Sequence, residues 1–171
     1  MSSTPEQPTT DATQWQEEAQ RHMAAGDPVA AVGLLSRLVL LTPEADIAWT
    51  TLAEAHLAAG AAEAAVQAGL KAVDLMPVSL PAWTVLADAL AAAGQWEDAL
   101  TAAVQQFELF PVVPDGLYKA AVAHVQLDDA LGAIRALEAA LSQRRALRDR
   151  LRTDVRFDSI RDHAGFRLLL D

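Results

Sequence analysis

Histidine is the residue type whose spacing in this chain could most readily support metal chemistry. Three of the four histidines, His22, His56 and His124, hold the same place in different copies of an internal repeat, and an imidazole nitrogen is a common zinc ligand. Equivalent helices in a stack of repeats lie about 10 Å apart, whereas a zinc–nitrogen bond is about 2 Å long. Two of these imidazoles therefore cannot share one ion. We interpret them as partly buried packing residues and expect no metal site.

The other residue patterns that would indicate catalysis are missing from the sequence. There is no cysteine, which excludes a thiol nucleophile and a thiolate metal site. The chain also contains no phosphate-binding loop, no HExxH motif and no G-x-S-x-G motif. Asp128 and Asp129 are adjacent carboxylates, but acids are favoured at a helix N-terminus by the helix dipole. We therefore expect no enzymatic activity and no cofactor.

Arginine is concentrated near the C-terminus. Residues 1–110 carry 14 acids and 3 bases, whereas residues 111–171 carry 9 acids and 10 bases. The densest run consists of Arg144, Arg145, Arg148, Arg150, Arg152 and Arg156. A solvated face of a terminal helix explains such a run, and three alternatives stay open. These are contact with an acidic partner, contact with nucleic acid, and contact with the acidic front of another copy of the chain.

The internal repeat predicts the elements that position these side chains. Three markers recur at one common interval of about 34 residues: Trp15, Trp49 and Trp83; Gly26, Gly60 and Gly94; Pro43, Pro77 and Pro111. Small or apolar residues follow each tryptophan on one helical stripe. The glycine marks a helix end, where a left-handed residue is favoured, and the proline ends a second helix. Each unit is thus predicted to be a helical hairpin, with the three tryptophans in the core.

These units resemble the tetratricopeptide repeat, a helix-turn-helix of about 34 residues with the pattern W-x2-L-G-x2-Y, A-x3-F and P. Trp49-x2-Leu52-Ala53-x2-His56 carries the resemblance, and Trp83-x2-Leu86-Ala87-x2-Leu90 matches equally. The resemblance implies an all-α, right-handed α-solenoid of about four units. We predict a disordered tail over 1–11, repeats at about 12–45, 46–79, 80–113 and 114–145, and a C-terminal helical cap over 146–171.

The departures from the family pattern also carry predictions. Gly69 and Ala103 stand where the family has phenylalanine, so neighbouring helices should either approach closely there or leave room that tryptophan and leucine fill. In the fourth unit Leu127 and Asp128 replace the glycine turn.

The resemblance also implies a binding surface, because the first helix of each unit in this family lines a concave groove. Positions one, five and eight residues after the tryptophan, or after Leu117 in the fourth unit, form what we call the groove wall. Ala91 and Val125 belong to it. Its predicted partner-binding residues are Gln16, Gln20, Met23, Thr50, Glu54, Leu57, Thr84, Asp88, Tyr118 and Val122.

The chemistry of this wall favours one kind of partner. Family members that capture an acidic chaperone C-terminus need basic residues there, but the matching places hold Gln16, Gln20, Glu54, Pro81 and Val85. Apolar and acidic side chains on the wall instead favour a protein segment with apolar anchors and some basic character. The predicted function is therefore a non-catalytic interaction adaptor. The alternatives are a self-associating structural subunit, so that a homo-oligomer is possible, and an anionic or nucleic-acid contact through the arginine run.

Composition bounds the partners and the location. The net charge of −10 makes general nucleic-acid binding unfavourable. The N-terminus lacks the basic and apolar regions of a signal peptide, and no run of about 18 apolar residues predicts a membrane span. The absence of cysteine suits a reducing compartment. We expect a cytoplasmic protein, and the excess of arginine over lysine suggests a bacterial source.

Overall fold

The structure, a computed structural model, describes residues 8–171, with side chains from residue 12 onward. Every regular element within this range is helical, which confirms the all-α class. The elements are α1 (Pro8–Ala24), α2 (Pro28–Leu41), α3 (Asp46–Ala58), α4 (Ala62–Leu75), α5 (Leu80–Ala92), α6 (Trp96–Leu109), α7 (Asp115–Gln126), α8 (Ala130–Gln143), α9 (Leu147–Thr153), the 3-10 helix η1 (Val155–Ile160) and α10 (Ala164–Leu170).

The chain divides into two compact units, and the boundary between them lies between Ala89 and Leu90, within α5. In the first unit α1 packs against α2 and α3 against α4, and α2 also contacts α3. In the second unit α6 and α8 both pack against α7. The C-terminal cap, residues 146–171, adds α9, η1 and α10 to this second unit. Each unit therefore has its own helical core.

One difference from the sequence prediction concerns the N-terminal tail. Helix α1 begins at Pro8, so residues 8–11, which we predicted to be part of a disordered tail, are helical. Proline is well tolerated in the first turn of a helix, because its missing N–H would have no intrahelical partner there. The rest of the predicted tail, residues 1–7, lies outside the described residues.

A left-handed residue ends the first helix of each of the four repeats. Gly26, Gly60 and Gly94 have φ angles of 76°, 75° and 72°. In the second repeat the N–H of Ala61 donates to the carbonyl of His56 at 2.9 Å. This bond closes the Schellman turn, which contains the left-handed Gly60. Asp128, at φ 58°, takes the same position in the fourth repeat. Leu127 and Asp128, which we predicted to replace the glycine turn, thus form a turn of the same type in which Asp128 is strained.

The repeated tryptophans and prolines form a joint contact. The indole Nε1 of Trp49 donates to the carbonyl oxygen of Pro43 at 2.9 Å, and Trp83 makes the same 2.9 Å bond to Pro77. Trp15 and Trp49 pack against the first core but are only half-buried. They are therefore not fully buried core residues, and in Trp49 the indole N–H reaches a carbonyl in the turn before its helix.

Small residues set the helix spacing. A Cβ added to Gly69 on α4 would lie 3.3 Å from the Cα of Leu86 on α5, which is consistent with the predicted close approach. Gly116 on α7 lies closer still to α6, since a Cβ there would come within 2.7 Å of the Ala103 carbonyl oxygen.

None of the described helices is long and apolar enough to cross a membrane.

Candidate partner-binding site

A surface cavity of about 670 Å³ lies between α3 and α5 in the first unit. Four of the predicted groove residues line it: Glu54, Leu57, Thr84 and Asp88. The remaining lining residues are Ala58, Leu80, Pro81 and Val85. We call this the α3–α5 cavity. Its volume lies within the range of pockets that bury small-molecule ligands, which is about 300–1,000 Å³.

The helical phase of α3 and α5 explains this lining. Glu54 and Leu57 are separated by three residues on α3, and Thr84 and Asp88 by four on α5, so each pair shares one helix face. Val85 is only 3% exposed and forms the floor, because it packs within the first core. Glu54 and Asp88 are exposed. The cavity thus combines an apolar base with carboxylates open to solvent.

The electrostatics of the cavity are one-sided. Its lining contains two carboxylates and no basic side chain. Burial raises the pKa of Glu54 above its ordinary value, because partial removal of water penalises the charged carboxylate. No cationic side chain among the described residues forms an ion pair with Glu54. A cation entering the cavity would therefore relieve part of that penalty.

Several other predicted wall residues lie outside the cavity lining. Thr50 is 7% exposed and its hydroxyl donates to the Asp46 carbonyl at 2.9 Å. On α1, Gln20 is exposed, whereas Gln16 and Met23 are half-buried, and Met23 packs against the first core. The wall on α1 is therefore part apolar support and part solvated surface.

In the second unit the C-terminal cap covers the wall. Tyr118 is 2% exposed and Val122 7%, and both belong to a core that contains Leu151, Phe157 and Phe166 of the cap. The expectation that Tyr118 and Val122 face an open groove is wrong for this structure. The physical reason is that the last repeat has no following repeat to bury its apolar side chains, and the cap supplies that contact.

A polar contact fixes the cap on α7. The Tyr118 hydroxyl donates to Asp154 Oδ2 at 2.7 Å, and the Phe157 ring packs edge-on against the Tyr118 ring with centroids 5.5 Å apart. The Arg156 guanidinium holds the pKa of Asp154 well below its usual range, with help from the Tyr118 hydroxyl. Burial, together with the hydrogen bond to Asp154, raises the pKa of Tyr118 well above its usual value. The pair therefore stays in its present ionisation states at neutral pH.

The arginine run separates into two groups. Arg152 donates to the Leu170 carbonyl at 2.7 Å and to Asp149 at 3.3 Å, and Arg156 pairs with Asp154. The Arg150 guanidinium lies 4.3 Å from the centroid of the Tyr118 ring, a cation–π contact. These three side chains hold the cap in place. Arg144 and Arg145 are exposed, whereas Arg148 on α9 is half-buried. The arginines available to a partner are therefore Arg144 and Arg145, between α8 and α9.

Sequence reasoning missed one further structural arginine. Arg161 donates to the carbonyl oxygens of Arg152 and Asp154, at 2.9 Å and 3.1 Å, and to the Asp158 carboxylate. It thereby ties α9 to η1. No repeat spacing or family motif marks this residue, so only the folded arrangement identifies it.

Two of the phased histidines pair with the acid that begins the next helix. His124 Nδ1 lies 2.9 Å from Asp129 Oδ2, and His22 Nδ1 lies 3.5 Å from Asp27 Oδ2. The second repeat has Ala61 at the acid's position, and burial lowers the pKa of His56. Within residues 8–171, no group of three or more histidine, cysteine or acidic side chains is arranged to hold a metal ion.

Helical hairpins at a fixed interval, closed by a cap, define an all-helical repeat protein of the solenoid class. The sequence profile of the tetratricopeptide repeat matches residues 17–79 and 83–149. Because these matches cover well over half of the chain, the chain belongs to the tetratricopeptide repeat family.

Solved structures share this fold. A crystal structure of MamA protein superposes with a TM-score of 0.79 at 19% identity, covering 94% of this chain and 90% of that one. MamA from Desulfovibrio magneticus RS-1 gives 0.79 at 17% identity, with 93% and 90% covered. A thermophilic TPR protein from Thermus thermophilus gives 0.66 at 19% identity, with 92% and 95% covered. A comparison with curated protein sequences finds no match.

Proposed function

We propose that this protein is a non-catalytic adaptor that binds a segment of a partner protein in the α3–α5 cavity. The observation that carries the proposal is that Glu54, Leu57, Thr84 and Asp88 line one cavity of about 670 Å³. These residues belong to two successive repeats, and all four hold places that the family resemblance assigns to the groove wall. Tetratricopeptide repeats bind protein partners, which supports an interaction role at such a surface.

The chemistry of the lining supports a partner with apolar and basic character. Leu57, Leu80 and Val85 offer apolar contact, while Glu54 and Asp88 supply negative charge. An acidic segment would meet two carboxylates and no basic side chain in the lining, which costs binding free energy. The same argument disfavours nucleic acid at this site, since phosphate contacts need basic side chains.

We also propose a cytoplasmic location, which the cysteine-free composition supports.

Charge reversal in the cavity tests the proposal. Glu54→Lys and Asp88→Lys should each weaken binding of a basic partner segment about tenfold or more, because attraction becomes repulsion in a partly desolvated site. Isothermal titration calorimetry with the partner segment measures the change. Glu63→Lys is the matched control, since Glu63 is an exposed acid on α4 outside the lining. Equal affinities for wild type and both cavity variants would contradict the proposal.

Self-association is the second candidate, and the uneven charge favours it. Residues 1–110 carry 14 acids and 3 bases, and the exposed Arg144 and Arg145 lie far along the chain from them. Sedimentation at two salt concentrations tests it, because an electrostatic contact between copies weakens as salt rises. A strict monomer at both concentrations excludes it.

Nucleic-acid contact through the arginine run is the third candidate and needs a different variant. Arg150 and Arg152 hold the cap, so reversing their charge would disturb the fold. Arg144→Glu combined with Arg145→Glu changes exposed side chains only. Binding of a labelled oligonucleotide that this pair of substitutions abolishes would favour the third candidate.

A further inference from the structure

The second unit shows how a groove wall of this chain holds a segment. Tyr118, Val122 and Val125 occupy the wall positions of α7, and all three are buried in the core that α7 shares with the cap. Helix η1 contacts α7 directly. It is a short 3-10 helix of six residues, which is about two turns, and Arg156 and Phe157 lie in its first turn. The wall of the last repeat is therefore covered by a compact helical segment of the same chain.

The covering turn binds through one anchor and adjacent charged side chains. Phe157 is fully buried and packs edge-on against Tyr118. Arg156, its neighbour, lies with its guanidinium 5.6 Å from the Tyr118 ring centroid and pairs with Asp154. The Tyr118 hydroxyl donates to the same Asp154 carboxylate at 2.7 Å. An apolar side chain and a cation in adjacent positions thus meet the wall together.

The α3–α5 cavity presents the equivalent positions with a different charge. Glu54 and Asp88 stand where α7 has Val122, and Leu57 stands where it has Val125. In the second unit the carboxylate that holds Arg156 comes from the covering segment itself. In the α3–α5 cavity the wall supplies two carboxylates, so the complementary segment need bring only the cation and the apolar anchor.

We infer that the α3–α5 cavity binds a single helical turn that inserts one large apolar side chain between α3 and α5 and directs a neighbouring arginine or lysine to Glu54 and Asp88. The inference rests on the proposed function and specifies the chemistry and conformation of the partner segment. Leu57, Leu80 and Val85 contact the anchor. The cavity volume of about 670 Å³ lies within the range of about 300–1,000 Å³ for pockets that bury a small ligand, so it has room for one aromatic side chain beside a cationic head.

The position of Glu54 also favours a cation, because its carboxylate lines the cavity and is partly desolvated although the residue is exposed. The raised pKa of Glu54 reflects the cost of keeping a partly desolvated carboxylate charged. A guanidinium or ammonium group at hydrogen-bonding distance offsets that cost, and a charge-assisted contact is about twice as strong as a neutral one. A neutral partner would leave the cost in place and gain only the apolar contact.

Selection from a random twelve-residue peptide library displayed on phage tests the inference with the full-length protein. Enriched peptides should carry an aromatic or large aliphatic residue within four positions of an arginine or lysine. The strongest of them, labelled with a fluorophore, then serves as the probe in anisotropy titrations. We expect the double variant Glu54→Gln, Asp88→Asn to bind this probe at least tenfold more weakly, and Glu63→Gln to bind it as wild type does.

A cavity-filling variant separates the inference from the proposed function. Ala58 is exposed at the end of α3 and lines the cavity, so Ala58→Trp should block the site without leaving a void in the core. Ala24→Trp is the matched control, because Ala24 holds the same repeat position on α1 outside the lining. Unchanged circular dichroism shows that both variants fold.

The outcomes are distinct. Probe binding that Ala58→Trp abolishes, Ala24→Trp preserves and the neutral double variant weakens supports the inference. Binding that Ala58→Trp abolishes but the neutral double variant leaves unchanged overturns the cationic contact and keeps the proposed function. Binding that Ala58→Trp leaves unchanged, or a selection that enriches no peptide, counts against both. A proline at the residue whose backbone N–H closes the turn should abolish binding, because it removes the hydrogen bond that holds the turn together. Tolerance of that proline would overturn the helical turn.

Discussion

A left-handed backbone conformation recurs at the end of the first helix of each repeat, and the residue there determines its cost. Gly26, Gly60 and Gly94 adopt it without strain, and a Cβ added to any of them would meet nothing within 4 Å. Asp128 carries a side chain at φ 58°. An L-residue in this region costs roughly 1–2 kcal/mol in general, and aspartate somewhat less because its short polar side chain tolerates it.

This difference predicts opposite effects of two substitutions. Asp128→Gly should stabilise the protein by about 0.5–1 kcal/mol, since relief of strain exceeds the added entropy of the unfolded chain. Gly60→Ala should destabilise it by about 1 kcal/mol through backbone strain alone. Urea unfolding followed by circular dichroism measures both. A destabilised Asp128→Gly variant would show that the Asp128 side chain makes a compensating contact.

The contact between Tyr118 and Asp154 predicts a pH dependence of stability. The folded-state pKa of Asp154 is lowered, so its contribution is present above the unfolded pKa of about 3.9 and is lost as pH falls from there toward the folded pKa. Asp154→Asn should cost about 2 kcal/mol at pH 7, the range for a hydrogen bond to a charged group. That cost should shrink as the pH falls below the unfolded pKa.

Chemical denaturation of wild type and Asp154→Asn at several pH values measures this change. Asp162→Asn is the control, because its carboxylate pairs with Arg167 at a position 97% exposed, where an ion pair contributes little. A cost for Asp154→Asn that stays constant down to the most acidic conditions the fold survives would contradict a lowered pKa for this carboxyl group.

At the scale of helices, the contact between α6 and α7 depends on a glycine. A Cβ added to Gly116 would lie 2.7 Å from the carbonyl oxygen of Ala103 and 3.0 Å from the backbone nitrogen of Phe107. Both are backbone atoms that cannot rotate away. Gly116→Ala should therefore force the helices apart and destabilise the protein by about 1–3 kcal/mol, the usual cost of overpacking.

Gly33→Ala is the same substitution in the opposite situation. Gly33 is exposed on α2, and a Cβ there would meet nothing within 4 Å. Alanine should stabilise the helix by about 0.5–1 kcal/mol, because it loses less backbone entropy on folding than glycine. Thermal unfolding of the two variants should move the midpoint in opposite directions. A shift of the same sign in both would refute the packing explanation for Gly116.

Regular spacing made the repeats predictable, because tryptophan, glycine and proline each serve one local function once in every repeat. The same register placed Glu54, Leu57, Thr84 and Asp88 on one wall, and the structure brings them to one cavity. The cover over Tyr118 was not predictable in this way. The hydrogen bond from Tyr118 to Asp154 spans 36 residues, and the cap sequence follows no repeat. Non-local contacts of unique segments leave no periodic signal.

For the whole molecule, two separate cores imply that stability is distributed between two units. The first core is built mainly from α1–α4 with Val85 of α5, and the second from α7, α8 and the cap. Repeat proteins gain stability from contacts between neighbouring elements, so the loss of a terminal cap acts mainly on the repeat beside it. The cap contributes five buried apolar residues to the second core: Leu147, Leu151, Phe157, Ile160 and Phe166.

We therefore expect deletion of residues 146–171 to destabilise the second unit more than the first. Tyr118 would lose its contacts with Phe157 and Asp154, and Val122 and Leu137 would lose part of the core that they share with the cap. Truncation of either fully buried phenylalanine, Phe157 or Phe166, would by itself cost about 3–5 kcal/mol. Hydrogen–deuterium exchange should show loss of protection in α7 and α8, while α1–α4 remain protected. The single variant Phe157→Ala should give the same pattern with smaller amplitude. Because each unit has its own core, equal loss of protection in all helices would contradict this division of the molecule.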